Sequence, residues 1–192
     1  MTATVYGAPE GYDALLLARR RAEHAGAVLH IARDDQRMAR LSEALAFFAP
    51  GIELLRFPAW DCLPYDRVSP NPELVSERIA TLARLLEPPA KPRLVLTTVN
   101  ALVQRVPPRQ AFAGASMVLR AGGTAPPEAI TAFLEANGYS RAGTVMEPGE
   151  YATRGGIIDI YPAGEPEPVR LDLFGDTVES LQIGRASCRE RV

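Results

Sequence analysis

Cysteine and histidine are scarce in this chain: Cys62, Cys188, His24 and His30 are the only residues of either type among 192. Two cysteines so far apart in sequence give neither a disulfide framework nor the closely spaced ligands of a structural zinc site. The histidines lie far from both cysteines along the chain. We therefore expect no metal site.

Long apolar runs are also missing. No uninterrupted hydrophobic stretch approaches the roughly 18 residues that a membrane-spanning helix needs. Residues 1–9 do not show the basic, apolar and small-residue succession of a signal peptide. These absences favour a cytoplasmic protein without a membrane partner, and we expect a monomer.

Lysine is nearly absent, since Lys91 is the only one among 21 basic residues, and the formal net charge is -2. A domain that mainly grips phosphate backbones concentrates positive charge. The charge therefore argues against a simple DNA-binding α/β domain, although local basic patches remain compatible with it.

Short apolar runs alternate with amphipathic stretches along residues 1–112, which is the pattern of an α/β domain with a parallel sheet. The predicted strands are residues 28–32, 52–57 and 93–98. Because the pair Pro107 and Pro108 breaks the chain, we place the end of this first domain near residue 112.

Three helices are predicted in this domain from capping residues and from apolar spacings of three and four. The first follows Asp34 or Asp35, the second begins at Pro72 behind Asn71, and a short third runs from Asn100 through Arg105. The residues expected to face the core are Met38, Leu41, Leu45, Phe48, Val75, Ile79, Leu82 and Leu86.

The sequence changes character after Gly114, and residues 113–182 are interpreted as a smaller, mostly β, α+β domain. Its predicted elements are a strand at 116–120, a helix at 127–137 closed by Gly138, and strands at 157–161, 169–173 and 178–181.

The segment from Gly7 to Ala14 lies where a phosphate-binding loop would open an α/β nucleotide domain. Counted from Gly7, the pattern G-x-x-x-x-G-K-[ST] needs glycine, lysine and a hydroxyl residue where Tyr12, Asp13 and Ala14 stand, although Gly11 precedes them. A carboxylate at the lysine position repels phosphates, and a methyl group cannot hold magnesium. We interpret the loop as degenerate and expect it to bind no nucleotide.

No carboxylates, histidines or nucleophiles occur at a recognisable catalytic spacing, and no serine lies in G-x-S-x-G. We therefore expect that the chain is not an enzyme and has no cofactor.

Strand alternation gives the second domain its candidate site. It points Arg170, Asp172 and Phe174 to one face and the apolar Val169, Leu171 and Leu173 to the other. Arginine and aromatic side chains are enriched at protein interfaces, so one interpretation is a docking surface. The other is an ordinary cross-strand ion pair of Arg170, with Phe174 covering the turn. Leu181 or Gln182 would stand opposite Arg170, and Glu179 only diagonally, so the following strand supplies no directly opposed acid.

Two sets of motifs resemble a known family. Phe57-Pro58-Ala59-Trp60, Leu63-Pro64-Tyr65-Asp66 and Ser69-Pro70 resemble the first domain of transcription-repair coupling factors. The stretches from Gly149 to Pro162 and from Pro168 to Asp176 resemble the module that these factors share with the excision-repair protein UvrB.

The resemblance implies a UvrB-like, degenerate P-loop NTPase-like domain, incomplete here, with the smaller domain inserted into it. It further implies a docking module that recruits UvrA in transcription-coupled nucleotide excision repair, through Arg154, Arg170 and Phe174. The parent protein would displace stalled RNA polymerase with an ATP-driven DNA translocase, so ATP, magnesium, polymerase and DNA belong to parts that this chain does not contain. The alternative is a fragment of a UvrB-type DNA-repair ATPase, which the failed phosphate loop disfavours.

Residues 183–192 depart from the family's sequence, and they combine mixed charge with no period of two or 3.6. We expect this segment to be a non-native or disordered tail that is dispensable for stability.

Overall fold

The chain forms two compact units in a computed structural model, which describes residues 4–24, 26–63, 67, 69–112, 114 and 116–184. The first unit comprises residues 1–66 and 84–106, and the second comprises residues 67–83 and 107–192. The predicted domain boundary at residues 112 and 113 stays a prediction.

The first unit contains a three-stranded parallel sheet, as the apolar runs predicted. Its strands are β1 (Val28–Ala32), β2 (Glu53–Phe57) and β3 (Arg93–Thr98), in the order β1-β3-β2. Every residue of the central strand β3 is buried, and the strand is paired on both of its edges. A continuous buried run is the expected signature of such a strand.

Helices α1 (Tyr12–Glu23) and α2 (Asp35–Phe48) pack against this sheet. Asp34 caps α2, since its Oδ1 accepts a hydrogen bond of 2.8 Å from the backbone N–H of Arg37. The shared core is made of Ala14, Ala32, Met38, Leu41, Leu45, Leu94 and Leu96. Phe48, predicted to face the core, is 46% exposed instead and stacks edge-to-face on Phe47. It lies at the last turn of α2, which is why the helical period does not place it inside.

Helix α3 (Pro72–Leu86) begins where predicted, with Asn71 Oδ1 accepting from the backbone N–H of Glu73 at 2.8 Å. Its predicted apolar face is wrong in part. Ile79 and Leu86 are 45% and 39% exposed, whereas Ser76, Arg78 and Thr81 are buried. A distant loop contacts the helix at Ser76, because the backbone N–H of Gly164 donates to Ser76 Oγ at 2.8 Å.

Helix α4 (Val99–Leu102) is shorter than predicted, and its cap is Thr98 rather than Asn100. Thr98 ends β3 in an extended conformation, and its Oγ1 accepts from the backbone N–H of Ala101 at 3.3 Å. Asn100 is the second residue of the helix, so it cannot be the N-cap, which precedes the first helical residue. A 3-10 turn, Arg109–Phe112, follows.

The second unit is built on a five-stranded sheet with the order β4-β5-β6-β7-β8. The strands are β4 (Ser140–Arg141), β5 (Glu150–Arg154), β6 (Ile157–Ile160), β7 (Val169–Phe174) and β8 (Thr177–Ile183). All pairs are antiparallel except β4 with β5. Helix α5 (Pro127–Ala136) contributes Ile130 and Leu134 to the core on one face of this sheet.

One expectation for this unit is wrong, and another is wrong for its first two residues. The predicted strand at residues 116–120 is not a strand. Leu119 packs on the core, and an isolated bridge joins Thr124 to Thr177. Strand β8 also continues into the predicted tail, because Ile183 pairs with Val169 and the N–H of Gly184 donates to the carbonyl of Pro168 at 2.8 Å. The remainder of the predicted tail, residues 185–192, lies outside the described residues.

Candidate functional site

The five-stranded sheet has two chemically different faces. Directly opposed residues of paired strands project to the same side. One side carries the core residues Tyr151, Ile158, Ile160 and Leu171, which pack with helix α5. The other side is here named the arginine face. It consists of Ala152, Arg154, Ile157, Asp159, Arg170, Asp172, Phe174, Thr177, Ser180 and Gln182.

Arg170 is the most firmly held residue of the arginine face. Its Nε donates to Asp159 Oδ1 at 2.7 Å and its terminal NH2 to Asp159 Oδ2 at 3.0 Å. The Arg170 side chain is 24% exposed and that of Asp159 only 4%. Such a two-point contact fixes the plane of the guanidinium as well as its position. The ion pair foreseen as an alternative therefore exists, but with an acid of β6 instead of β8.

The register of the β7–β8 hairpin explains why β8 supplies no acid. Phe174 pairs with Thr177 across the turn, and an irregularity between Asp172 and Leu173 then shifts the pairing by one residue. Gln182 consequently stands opposite Arg170. This is one of the two partners that the sequence allowed, reached through a two-residue turn with a bulge.

Asp172 lies on the same face, two residues nearer the hairpin turn than Arg170. Its Oδ2 accepts from Ser180 Oγ at 2.5 Å and from Gln182 Nε2 at 3.0 Å. Neutral donors on β8 thus hold this carboxylate, whereas an arginine holds Asp159.

Phe174 ends β7 and is 76% exposed. Gly175 follows with φ of +58°, a backbone conformation that favours glycine and makes the tight turn to Thr177 possible. An aromatic side chain this exposed, at the end of a strand with a buried opposite face, is available to pack against another protein.

Arg154 ends β5 at the turn of the β5–β6 hairpin and is exposed. Its guanidinium donates to the carbonyl of Gly143 and, at 3.3 Å, to Thr144 Oγ1. The register puts Arg154 level with Asp172, two strands away. The turn approaches β7 closely, because a Cβ on Gly156 would lie 2.6 Å from the carbonyl oxygen of Leu173. The structure therefore places Arg154, Arg170 and Phe174 on one face, with Arg154 and Phe174 at its hairpin end.

The segment predicted as a degenerate phosphate loop adopts a different arrangement. Gly7 and Gly11 have φ of +65° and +86°, α1 begins at Tyr12, and Ala14 is fully buried in the core. No strand precedes α1 within residues 4–11. Asp13 accepts a hydrogen bond of 2.7 Å from Arg37 of α2. A pocket at this point is lined mainly by charged residues, which are Glu10, Asp13, Arg37, Arg40 and Glu43.

The first unit also contains a charge cluster at the start of β2. Glu53 Oε2 accepts from Arg93 at 2.9 Å, and its Oε1 accepts from Arg84 at 2.5 Å. Burial alone would raise the pKa of Glu53, but the hydrogen bonds from Arg93 and Arg84 outweigh it, so the pKa lies below its ordinary value of 4.5. This cluster ties the end of α3 to the sheet edge within that unit.

Asp159 is the functional candidate that the sequence interpretation missed. A signal was present, because Asp159 interrupts the apolar run Ile157-Ile158-Asp159-Ile160 and is 3% exposed. A buried carboxylate needs a partner. The missing information was that β6, and not only β8, borders β7.

The described residues contain neither a candidate metal site nor a candidate membrane-spanning helix. Within it, no group of three or more histidine, cysteine or acidic residues is arranged to hold a metal ion. No helix among the same residues has the length and apolar character needed to cross a membrane.

Comparison with known proteins shows which family the chain resembles. A family model described as "UvrB interaction domain" matches residues 117–190, which include the whole of that face. The transcription-repair-coupling factor of Escherichia coli (strain K12) is 36% identical over 170 residues, which are 88% of this chain and 14% of that protein.

Two further relatives carry the same name. The factor of Haemophilus influenzae is 32% identical over 90% of this chain and 15% of that protein. The factor of Bacillus subtilis is 32% identical over 67% of this chain and 11% of that protein. The chain therefore spans between 11% and 15% of the length of these three relatives.

Proposed function

This chain belongs to the family of transcription-repair coupling factors, of which it matches one segment, and we propose that it is a docking module for UvrA in transcription-coupled nucleotide excision repair. The observation that carries the proposal is the arginine face, where an oriented Arg170 lies beside an exposed Phe174 inside the region that matches the UvrB interaction domain.

The chemistry of the arginine face fits a protein partner that presents carboxylates around an apolar pocket. Phe174 would enter the pocket and exclude water from the contacts around it. Arg154 and Arg170 would bind carboxylates, and exclusion of water would strengthen those charge-assisted hydrogen bonds. The three residues would then act as one site, as the family resemblance implies.

We propose further that the Gly7–Ala14 segment is a degenerate phosphate loop that binds no nucleotide, and that this chain is not an enzyme. Arg37 supports this, because it donates to Asp13 at 2.7 Å and lies 3.6 Å from Glu10. The acidic residues of the loop thus already pair with Arg37, a nearby cation that would otherwise attract a phosphate. This arrangement disfavours the alternative of a UvrB-type ATPase.

The remaining activities belong to the proposal for the whole parent protein. Its motor domains would use ATP and magnesium to translocate along DNA and displace a stalled RNA polymerase, while this chain contributes the contact with UvrA. Such partners place the protein in the cytoplasm.

Binding to purified UvrA tests the docking proposal. Replacing Phe174 or Arg154 by alanine should each weaken binding by about 2 kcal/mol, roughly thirtyfold. Phe47→Ala is a matched control, because Phe47 is also an exposed aromatic, 80% exposed, but lies in the first unit. Wild-type affinity in both Phe174→Ala and Arg154→Ala would refute the proposed site.

A further inference from the structure

Asp159 stands at an unusual position for an acidic residue. It is the third residue of β6, between the buried Ile158 and Ile160, and it is 3% exposed. Both of its carboxylate oxygens accept hydrogen bonds from Arg170. A buried carboxylate is costly without such pairing, so the position demands a reason beyond filling a strand.

Arg170 is the one cation of the arginine face that is held by a carboxylate at two points. Arg154 donates instead to a carbonyl and a hydroxyl of the loop at residues 143–144. Asp172 is held by the neutral side chains of Ser180 and Gln182. The two hydrogen bonds that the Arg170 guanidinium donates to Asp159 therefore orient it, and Asp159 is itself a residue of strand β6.

We propose that Asp159 is a positioning residue for docking, which holds the Arg170 guanidinium in the orientation that the partner recognises. This inference rests on the proposed function. A free arginine must give up much side-chain freedom when it binds, and that loss weakens binding. With Asp159 in place, the arginine side chain loses this freedom when the chain folds. Binding to the partner then does not have to overcome the same loss.

Asp159 also has an opposing effect on docking. The inference can therefore be tested by whether Asp159→Asn raises or lowers the affinity for UvrA. Its negative charge reduces the attraction of Arg170 for a carboxylate on the partner. If neutralisation dominated, Asp159→Asn would strengthen UvrA binding. If positioning dominates, the same substitution weakens it, because a neutral amide offers one acceptor atom where the carboxylate offers two.

The experiment is a double-mutant cycle on UvrA affinity with the 192-residue chain. Asp159→Asn should weaken binding about five- to tenfold in the wild-type background. In the Arg170→Ala background it should change affinity less than twofold, since no guanidinium remains to be positioned. Tyr151→Phe is the control, because it removes the hydrogen bond of 2.7 Å to Glu135 on the opposite face of the same sheet.

Each outcome has a distinct meaning. Affinity that is unchanged or higher in Asp159→Asn, with Arg170→Ala weakened, overturns the inference and leaves the docking proposal intact. Equal weakening in both backgrounds also overturns it, because Asp159 would then act independently of Arg170. Wild-type affinity of Arg170→Ala would remove Arg170 from the proposed site, and the inference with it.

A second variant covers the case in which Asp159→Asn does not fold. Asp159→Glu keeps the charge but moves the carboxylate one methylene further from its strand, which displaces the guanidinium. It should weaken UvrA binding severalfold while retaining the circular dichroism spectrum of the wild type. Wild-type affinity in this folded variant would show that the placement of Arg170 is irrelevant and would overturn the inference.

Discussion

Replacing Arg170 by alanine should destabilise the second unit as well as weaken docking. Asp159 would keep its carboxylate, with a side chain only 4% exposed, and lose both hydrogen bonds from the guanidinium. Removing one partner of a buried ion pair costs about 3–5 kcal/mol. Because 24% of the Arg170 side chain is exposed, water can enter after truncation, and we expect the lower end, about 3 kcal/mol.

Thermal and urea unfolding followed by circular dichroism measures this effect. For a unit of this size, a loss of about 3 kcal/mol lowers the midpoint on the order of 10 °C. Arg154→Ala is the control, because Arg154 is exposed and donates to a carbonyl and a hydroxyl; it should change stability by less than about 0.5 kcal/mol.

The double variant with Asp159→Asn provides the decisive comparison. Neutralising the orphaned carboxylate should recover about 1–2 kcal/mol relative to Arg170→Ala alone, although the same substitution destabilises the wild type. This reversal of sign is the signature of a buried charge pair. The opposite outcome is a double variant that is no more stable than Arg170→Ala alone. In that case the unpaired Asp159 carboxylate would carry no desolvation cost, and the inference from its low exposure would be refuted.

Three further predictions concern the first unit. Calorimetry with magnesium and ATP should show no heat of binding, since Asp13 stands at the lysine position and engages Arg37; saturable micromolar binding would contradict the degenerate loop. Asp34→Ala should lower the urea midpoint through loss of the α2 cap, and an unchanged midpoint would show that the cap contributes nothing. Glu53 has a lowered pKa in the folded chain. Its ionised carboxylate therefore contributes fully to stability above pH 4.5, the ordinary pKa, and this contribution disappears as the pH falls through the lower pKa of the folded chain. Glu53→Gln should therefore be less stable than the wild type at pH 7, by about 2 kcal/mol, and the difference should shrink near pH 3; a difference independent of pH would contradict this origin.

The two faces of β7 were predictable because a strand's period of two is a local property of the chain. Leu171 and Leu173 are 1% and 8% exposed, while Phe174 is 76% exposed, as the alternation predicts. The partner of Arg170 was not predictable in the same way. Asp159 precedes it by 11 residues in a different strand, and only the order β6-β7-β8 brings the two side chains together.

Helix α3 also shows that contacts between distant parts of the chain cannot be predicted from local sequence. Its start at Pro72 followed from local capping chemistry, and the structure confirms it. Its buried face did not follow from apolar periodicity, because Ser76 receives a hydrogen bond from Gly164, 88 residues further along. A Cβ on Gly164 would lie 2.3 Å from that of Ala80, so the loop approaches the side of the helix that carries small residues. Close backbone contacts of this kind leave little trace in hydrophobic patterning.

Two arginine–aspartate pairs in this chain illustrate why geometry, and not the presence of an ion pair, determines what an arginine can do. Arg37 bonds Asp13 through one nitrogen, and 35% and 27% of the two side chains are exposed. Solvent screens that pair and each side chain can turn, so its main effect is to neutralise charge beside the loop. Arg170 bonds Asp159 through two nitrogens, and the carboxylate is nearly buried in a strand. Since neither group can turn independently, this pair fixes a direction, which a docking surface can use and which a substitution at Asp159 should remove.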